Sequence, residues 1–271
     1  MAKNIAYVHD ISLTFDGGAE IATRTIVKTG RALGYNIQVI DLDTPPTPGL
    51  RDYDLIILSN IWRFWQSHVD IIMDAIRTVP YVKYEHDHDG LYDKALGIYS
   101  KADYAEKIYG NSLLNVFQSP DHKRAYEKDF GVDVGGICMP PMIEVDFFKV
   151  DGVQRNQNTA LIGAPRKWAS EVIKDYIQQH PDIKVDVLYQ GIPHEQIPAL
   201  YSQYEYFVHF PRRKYPCDRV IFEAALCGCK VVVNDNSETW GINLSDIDSL
   251  RDWLREAPYV FWKEIEKILN G

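Results

Sequence analysis

The chain has 271 residues, 46% hydrophobic and 25% charged, with a formal net charge of −9. That length suits one large or two modest α/β domains, and the acidic balance argues against a partner that needs a continuous basic surface, such as nucleic acid. No apolar run approaches a membrane-spanning helix, and Met1-Ala2-Lys3 leads straight into a strand with no signal peptide, so a cytoplasmic protein is expected.

Asn4 to His9 is an apolar run that predicts a strand, and Glu20 to Leu33 predicts a helix closed by Gly34. With a second strand over Ile37 to Leu42 this is a β-α-β unit, which implies a parallel sheet with right-handed crossovers. The loop before the helix carries Gly17-Gly18-Ala19-Glu20. Two glycines there either let a ligand reach the N–H groups at the helix's positive end or form an ordinary cap. Three prolines between Thr44 and Gly49 mark a surface loop. Asp54 to Ser59 and Tyr81 to Tyr84 read as buried strands on either side of an amphipathic helix, Val69 to Arg77. The second of these strands ends in Glu85-His86-Asp87-His88-Asp89-Gly90. Ligands of open α/β sheets bind beyond the carboxyl ends of strands, so this run is a candidate site. It fits a metal, a sugar or acceptor hydroxyl, or a solvated cap. A helix over Asp93 to Ile108, a strand over Leu113 to Gln118, a helix from Ser119-Pro120-Asp121 to about Asp129 and a short strand over Gly135 to Cys138 follow. Met139-Pro140-Pro141-Met142 is a stiff hinge.

Beyond a polar stretch without periodicity, Asp151 to Asn158, Thr159 to Ile162 predicts a strand and Ala169 to Gln179 an amphipathic helix. Between them, Arg166 and Lys167 put two positive charges where charge and helix dipole favour an anion, unless the turn is simply solvated. Val185 to Leu188 predicts a strand and Gln196 to Tyr204 a helix. Phe207 to Phe210 predicts the next strand, stopped by Pro211 and followed by Arg212, Arg213 and Lys214. Arg219 to Cys227 is an apolar helix with one carboxylate inside it, Glu223. A buried carboxylate is costly without a partner, so Glu223 must meet one in the protein or in a ligand. Gly228 stands where a helix cap needs positive φ, and Lys230 to Val233 is a further strand. Two helices end the chain, near Asp246 to Arg255 and Pro258 to Leu269. The cysteines, Cys138, Cys217, Cys227 and Cys229, lack zinc-ligand spacing and read as reduced, buried thiols.

Phe222-Glu223-Ala224-Ala225-Leu226-Cys227-Gly228-Cys229-Lys230-Val231-Val232 resembles the second half of the signature of retaining GT-B glycosyltransferases, the group-1 (GT4-like) family. His86-Asp87-His88 is similar to a local run in the phage DNA α-glucosyltransferases. The resemblance implies an α/β GT-B fold, two Rossmann-like domains with parallel sheets facing a cleft. The acceptor-side domain would span residues 1–148, the nucleotide-sugar domain 149–257, and a helix at 258–271 would return to the first domain. It implies transfer of a sugar from a nucleotide-diphosphate donor such as a UDP-sugar to an acceptor hydroxyl, with retention, no cofactor and no metal. The acceptor would be a glycan, a lipid or a small molecule, and less readily DNA. The alternatives are a DNA-modifying glucosyltransferase acting on hydroxymethylated bases and a non-catalytic nucleotide-sugar or glycan binder. Donor-binding residues by this resemblance are Gly17, Gly18, Arg166, Lys167, Asp218, Arg219 and Glu223, with Glu223 on the ribose, while His86 and Asp87 serve catalysis. The family's first glutamate would fall at Tyr215; Asp218, five residues before Glu223, is the acidic residue here.

Overall fold

Ten apolar runs of the chain fold as parallel strands in two separate sheets. The computed structural model describes residues 2–9, 11–42, 49–59, 66–86, 101–149, 152–163, 170–188, 191–211, 214 and 218–271. Two compact units result, Met1–Met142 with Ala257–Gly271, and Ile143–Glu256.

In the first unit the strands β1 (Asn4–His9), β2 (Asn36–Asp41), β3 (Leu55–Ser59), β4 (Tyr81–Tyr84), β5 (Leu114–Phe117) and β6 (Ile137–Cys138) lie in the order β2-β1-β3-β4-β5-β6. The order reverses between β1 and β3, the position at which such sheets open a crevice beyond their carboxyl ends. Helix α1 (Gly18–Ala32) packs on one face, closed by Gly34 at φ +94° as expected. Helices α2 (Gln66–Ala75) and α3 (Lys101–Tyr104) follow, α3 running into a π-helical turn, Ala105–Tyr109. The predicted start of that helix at Asp93 lies outside the described residues. Helix α4 (Pro120–Phe130) begins on Ser119, whose hydroxyl accepts from His122 N, and ends on Gly131 in the left-handed region.

The six residues from Tyr81 to His86 show why this sheet is buried on both faces. Alternate side chains of a strand point to opposite faces. Tyr81 joins the cluster with Ile56, Leu58 and Tyr104, while Val82 and Tyr84 join the one with Tyr7, Ile26 and Phe261. Lys83 and Glu85 share the first face, both buried, with Lys83 Nζ 2.6 Å from Glu85 Oε1. The hydroxyl of Tyr109, presented by the π-helical turn, donates to Glu85 Oε1 at 2.5 Å, and Tyr126 donates to Oε2 at 3.2 Å. Burial, then the Glu85 carboxylate, pushes the Tyr109 hydroxyl well above its ordinary pKa, which keeps it a donor.

In the second unit β7 (Asn156–Gly163), β8 (Lys184–Leu188), β9 (Tyr204–His209) and β10 (Lys230–Val233) take the order β10-β9-β7-β8, reversing between β7 and β9. Helices α5 (Ser170–Gln179), α6 (Ile197–Tyr201) and α7 (Arg219–Leu226) connect them. The helix expected to reach Tyr204 ends at Tyr201, because Tyr204 already pairs with Asn156 and opens β9.

The two helices expected at the carboxyl terminus are one, α8 (Ile247–Asn270), with Pro258 inside it. Proline in a helix interior forfeits a hydrogen bond and is costly. Here the apolar stripe runs on in phase: Leu250 and Leu254 pack in the core of the second unit, Ala257, Phe261 and Ile265 in that of the first. Burial on both sides of Pro258 outweighs the local penalty. Trp262 of the same helix donates its indole N–H to Ile26 O at 2.8 Å and stacks on Tyr35 at 4.8 Å. Gly30 of α1 makes room for it, since a Cβ there would collide with the indole.

Removing one member of a buried ion pair costs about 3–5 kcal/mol, whereas replacing both by apolar groups is close to neutral. Glu85→Ala is therefore expected to lower the unfolding free energy by that amount in urea titration, and Lys83→Met with Glu85→Leu to recover most of it. Equal loss in the single and double variants would show that the pair does not act as a unit.

Candidate functional site

At the carboxyl edge of the first sheet, β1 ends in His9, β3 in Ser59, and the chain beyond β4 and β5 supplies His86 and Gln118. Tyr7, His9, Thr23, Ser59 and His86 are all buried, forming a polar cluster beneath the reversal of strand order. His86 is 3% exposed, so its side chain is buried. Its ring packs on Tyr84 at 4.6 Å and lies 6.0 Å from that of His9. Gln118 Nε2 is 2.7 Å from His86 Nδ1, and Thr23 Oγ1 is 3.4 Å from Nε2. The amide donating to Nδ1 leaves the ring proton on Nε2, facing Thr23. Burial pushes the Tyr7 hydroxyl up to about 12, offset in part by the Thr23 and Ser59 hydroxyls beside it.

The loop that follows β1 is held by Arg24, which sequence reasoning missed. Its guanidinium donates to Leu13 O at 2.6 Å, Phe15 O at 3.1 Å and Asp16 Oδ1 at 2.9 Å. Gly17 is the cap of α1, with extended backbone at φ −81°. A Cβ at Gly17 would collide with the Glu20 carboxylate, which folds back over it, and Glu20 is buried. The Glu20 carboxylate of the helix's own first turn thus stands near its positive end, with Gly18 exposed beside it.

At the carboxyl edge of the second sheet, β7 ends in Gly163 and β9 in His209, and α7 starts after Asp218. Glu223 has the protein partner its burial demands: Arg219, one turn earlier, brings Nε to 2.5 Å from Glu223 Oε1, and both side chains are largely buried. The Glu223 charge helps raise the Tyr201 hydroxyl pKa well above its ordinary value, after burial itself. Asp218 Oδ1 lies 3.1 Å from His209 Nε2, a contact invisible in the sequence. Asn234 and Asn236 donate to Pro211 O at 3.1 and 2.9 Å and fix the chain where it leaves β9. The far end of α7 is capped by Arg155, from the polar stretch without periodicity, Asp151 to Asn158. Its guanidinium donates to Cys227 O and, at 2.9 Å, to Tyr204 O. Gly228 follows at φ +84°, as its place after the helix predicted.

The structure thus brings Asp218, Arg219 and Glu223 together at the start of α7, and His86 with Gln118 and Thr23 in the other unit. Asp87, Arg166, Lys167, Arg212 and Arg213 lie outside the described residues, while Lys214 is exposed. His88 and Asp89 also lie outside them; among the described residues no group of three or more His, Cys, Asp or Glu side chains is placed to hold a metal. Among the described residues no helix is long and apolar enough to cross a membrane.

Two units, each a parallel sheet with its own reversal of strand order and both sharing the last helix, define the GT-B architecture. No family model matches the chain, and no curated protein matches it significantly. Solved structures carry the fold at low identity. An α-glucosyltransferase in complex with UDP matches with a TM-score of 0.61 at 12% identity, covering 100% of each chain. An α-glucosyltransferase in complex with UDP and a 13-mer DNA containing a central A:G mismatch matches with a TM-score of 0.61 at 10% identity, over 95% of this chain and 90% of that one. Anabaena HepE in complex with UDP and glucose matches with a TM-score of 0.56 at 15% identity, over 94% of this chain and 92% of that one.

Cys227 and Cys229 flank the cap of α7 as free, buried thiols, and Cys138 is half-buried; Cys217 lies outside the described residues. Burial pushes Cys227 up to about 12 and Cys229 up to about 11. A raised thiol pKa means less thiolate at any pH below it, and the thiolate is the reactive form. Iodoacetamide at pH 8 is expected to leave both unmodified in the folded protein and to label both in urea, read by peptide mass spectrometry. Labelling in the folded state would contradict their burial.

Proposed function

We propose that the chain is a glycosyltransferase that moves a sugar from a nucleotide-diphosphate donor to an acceptor hydroxyl, with retention of configuration. The observation that carries this reading is the buried Arg219–Glu223 pair on α7, next to the strand-order reversal of the second sheet, in a fold whose solved examples hold UDP. A buried ion pair is a poor device for stability alone. At the carboxyl edge of such a sheet it is suited to a polar ligand.

In this reading the ribose hydroxyls donate to Glu223, and Arg219, Arg166 and Lys167 neutralise the diphosphate without a metal ion. In the transfer the bond from the anomeric carbon to the diphosphate oxygen breaks and the nucleoside diphosphate leaves with the electron pair. The acceptor oxygen bonds to the same carbon, and its proton passes to the leaving phosphate. In this reading His86, held by Gln118 and Thr23, and Asp87, the next residue in the chain, serve the acceptor and the transferring sugar. Gly17 and Gly18 contribute by setting the start of α1. The acceptor is a hydroxyl of a glycan, a lipid or a small molecule. A second reading, transfer to hydroxymethylated bases in DNA, draws on the match to an α-glucosyltransferase solved with DNA; the net charge of −9 weighs against it.

Incubation with a panel of nucleotide sugars is expected to release nucleoside diphosphate from one of them, including in the presence of chelator, and more so with the right acceptor. Hydroxymethylated duplex DNA in the acceptor panel separates the two readings. No release and no binding of any nucleotide sugar would refute both.

Glu223→Gln keeps an acceptor for Arg219 and removes the charge offered to the ribose. A hydrogen bond to a charged group is worth about 1.5–3 kcal/mol, so nucleoside-diphosphate affinity should fall about ten- to a hundredfold by calorimetry. Unchanged affinity would remove Glu223 from the ribose.

A further inference from the structure

The amino edge of the first sheet, the end away from His9 and His86, holds a cavity that the proposed transfer does not use. Its volume is about 480 Å³, and Met73, Ile76, Arg77, Lys107 and Asn111 line it. Helices that connect parallel strands run back along the sheet, so α2 and the π-helical turn both end at this edge, where β4 and β5 begin. Arg77 follows the end of α2, and Lys107 lies within the π-helical turn. Such turns are rare and occur frequently at functional sites.

Cations at helix ends have an ordinary explanation: they balance the dipole and bond to the last carbonyls. Here those carbonyls are already taken. Ala75 O accepts from Val79 N at 2.8 Å and from Thr78 N at 3.0 Å. The Tyr81 hydroxyl donates to Ile108 O at 2.8 Å, with Lys107 O at 3.1 Å. Asn111 Nδ2 donates to Glu106 O at 3.2 Å, and Asn115 Nδ2 to Tyr109 O at 3.1 Å. Asp74, three residues before Arg77, is held by Arg51 at 2.8 and 2.5 Å and feels Arg77 only as a lesser charge. Among the described residues, Arg77 and Lys107 have no hydrogen-bond or salt-bridge partner, and no carboxylate lines the cavity.

The lining selects the ligand. Arg77 offers a planar fork and Lys107 a point charge, and both suit phosphate. Met73 and Ile76 are half-buried and add an apolar wall, and Leu113, two residues beyond Asn111, is 55% exposed. Two unpaired cations and two apolar side chains in one cavity, in a chain of net charge −9, fit an anion with an apolar body. The volume falls within the roughly 300–1,000 Å³ of ordinary ligand sites. We propose that this cavity binds a phosphate monoester that carries an alkyl chain, with the phosphate on Arg77 and Lys107 and the chain along Met73 and Ile76. The site is separate from the sugar transfer and does not depend on that reading.

The test presents this head group to the full chain in two forms. Hexyl phosphate offers it in solution, titrated by calorimetry beside inorganic phosphate. Phosphatidylcholine vesicles with and without phosphatidic acid offer it in a membrane, with binding read by flotation. Hexyl phosphate is expected to bind more tightly than inorganic phosphate, and Arg77→Gln and Lys107→Gln are each expected to weaken it at least about tenfold, the loss of one charged hydrogen bond. Both side chains are exposed, so the variants should keep the wild-type melting temperature. Vesicle binding that requires phosphatidic acid and is lost in the variants would assign the site to a membrane lipid. Hexyl phosphate binding without vesicle binding would assign it to a free amphiphile. No binding of either form, binding that both variants retain, or inorganic phosphate binding as tightly as hexyl phosphate would overturn the proposal.

Discussion

Parallel pairing is the constraint from which the rest of this molecule follows. All strands within each sheet pair in parallel, so each connection must cross outside the sheet and every strand delivers its last residue to the same edge. His9, Ser59 and the chain just past β4 arrive together on one edge, and Gly163 and His209 on the other. Residues far apart in sequence become neighbours without any of them having to sit on a long loop. The same constraint buries both faces of the strands, which is why β1, β3 and β4 read as nearly continuous apolar runs.

Against that background the buried charges stand out, and they are not equivalent. The Lys83–Glu85 pair is closed: two tyrosine hydroxyls complete the carboxylate's coordination, and the pair pins β4 to α4 and the π-helical turn. It is explained by structure alone. The Arg219–Glu223 pair joins one turn of a helix to the next. The His209–Asp218 pair is open, with both ring nitrogens of His209 and Oδ2 of Asp218 lacking a hydrogen-bond partner among the described residues. Desolvation is costly in all three cases; tyrosine hydroxyls and Lys83 offset it in the first, and the Arg219 Nε hydrogen bond to Glu223 offsets it in the second.

What was legible in the sequence was local. Strands β1, β4 and β10 fall at the expected residues, because a buried run bounded by polar residues needs no long-range information. Gly34 and Gly228 have the positive φ that their places after helices required. What was not legible depends on partners remote in sequence. Arg155 looks like part of a polar linker until Cys227 O, 72 residues on, is found in its grasp. Pro258 looks like a boundary until the cores on both sides of it are seen to share one stripe.

The same distinction explains why one half of the second unit's polar edge could be read and the other could not. Glu223 is conspicuous because a charge inside an apolar helix breaks the local hydropathy pattern, whatever it pairs with. His209 breaks no pattern. It ends a strand rich in aromatics, where an imidazole is unremarkable, and its partner lies across a loop nine residues away. Only the fold brings a carboxylate to that ring and a glycine beneath it. A site built on one helix therefore announces itself in sequence, while a site built from the ends of two strands and the start of a helix does not, even when its groups are as deeply buried.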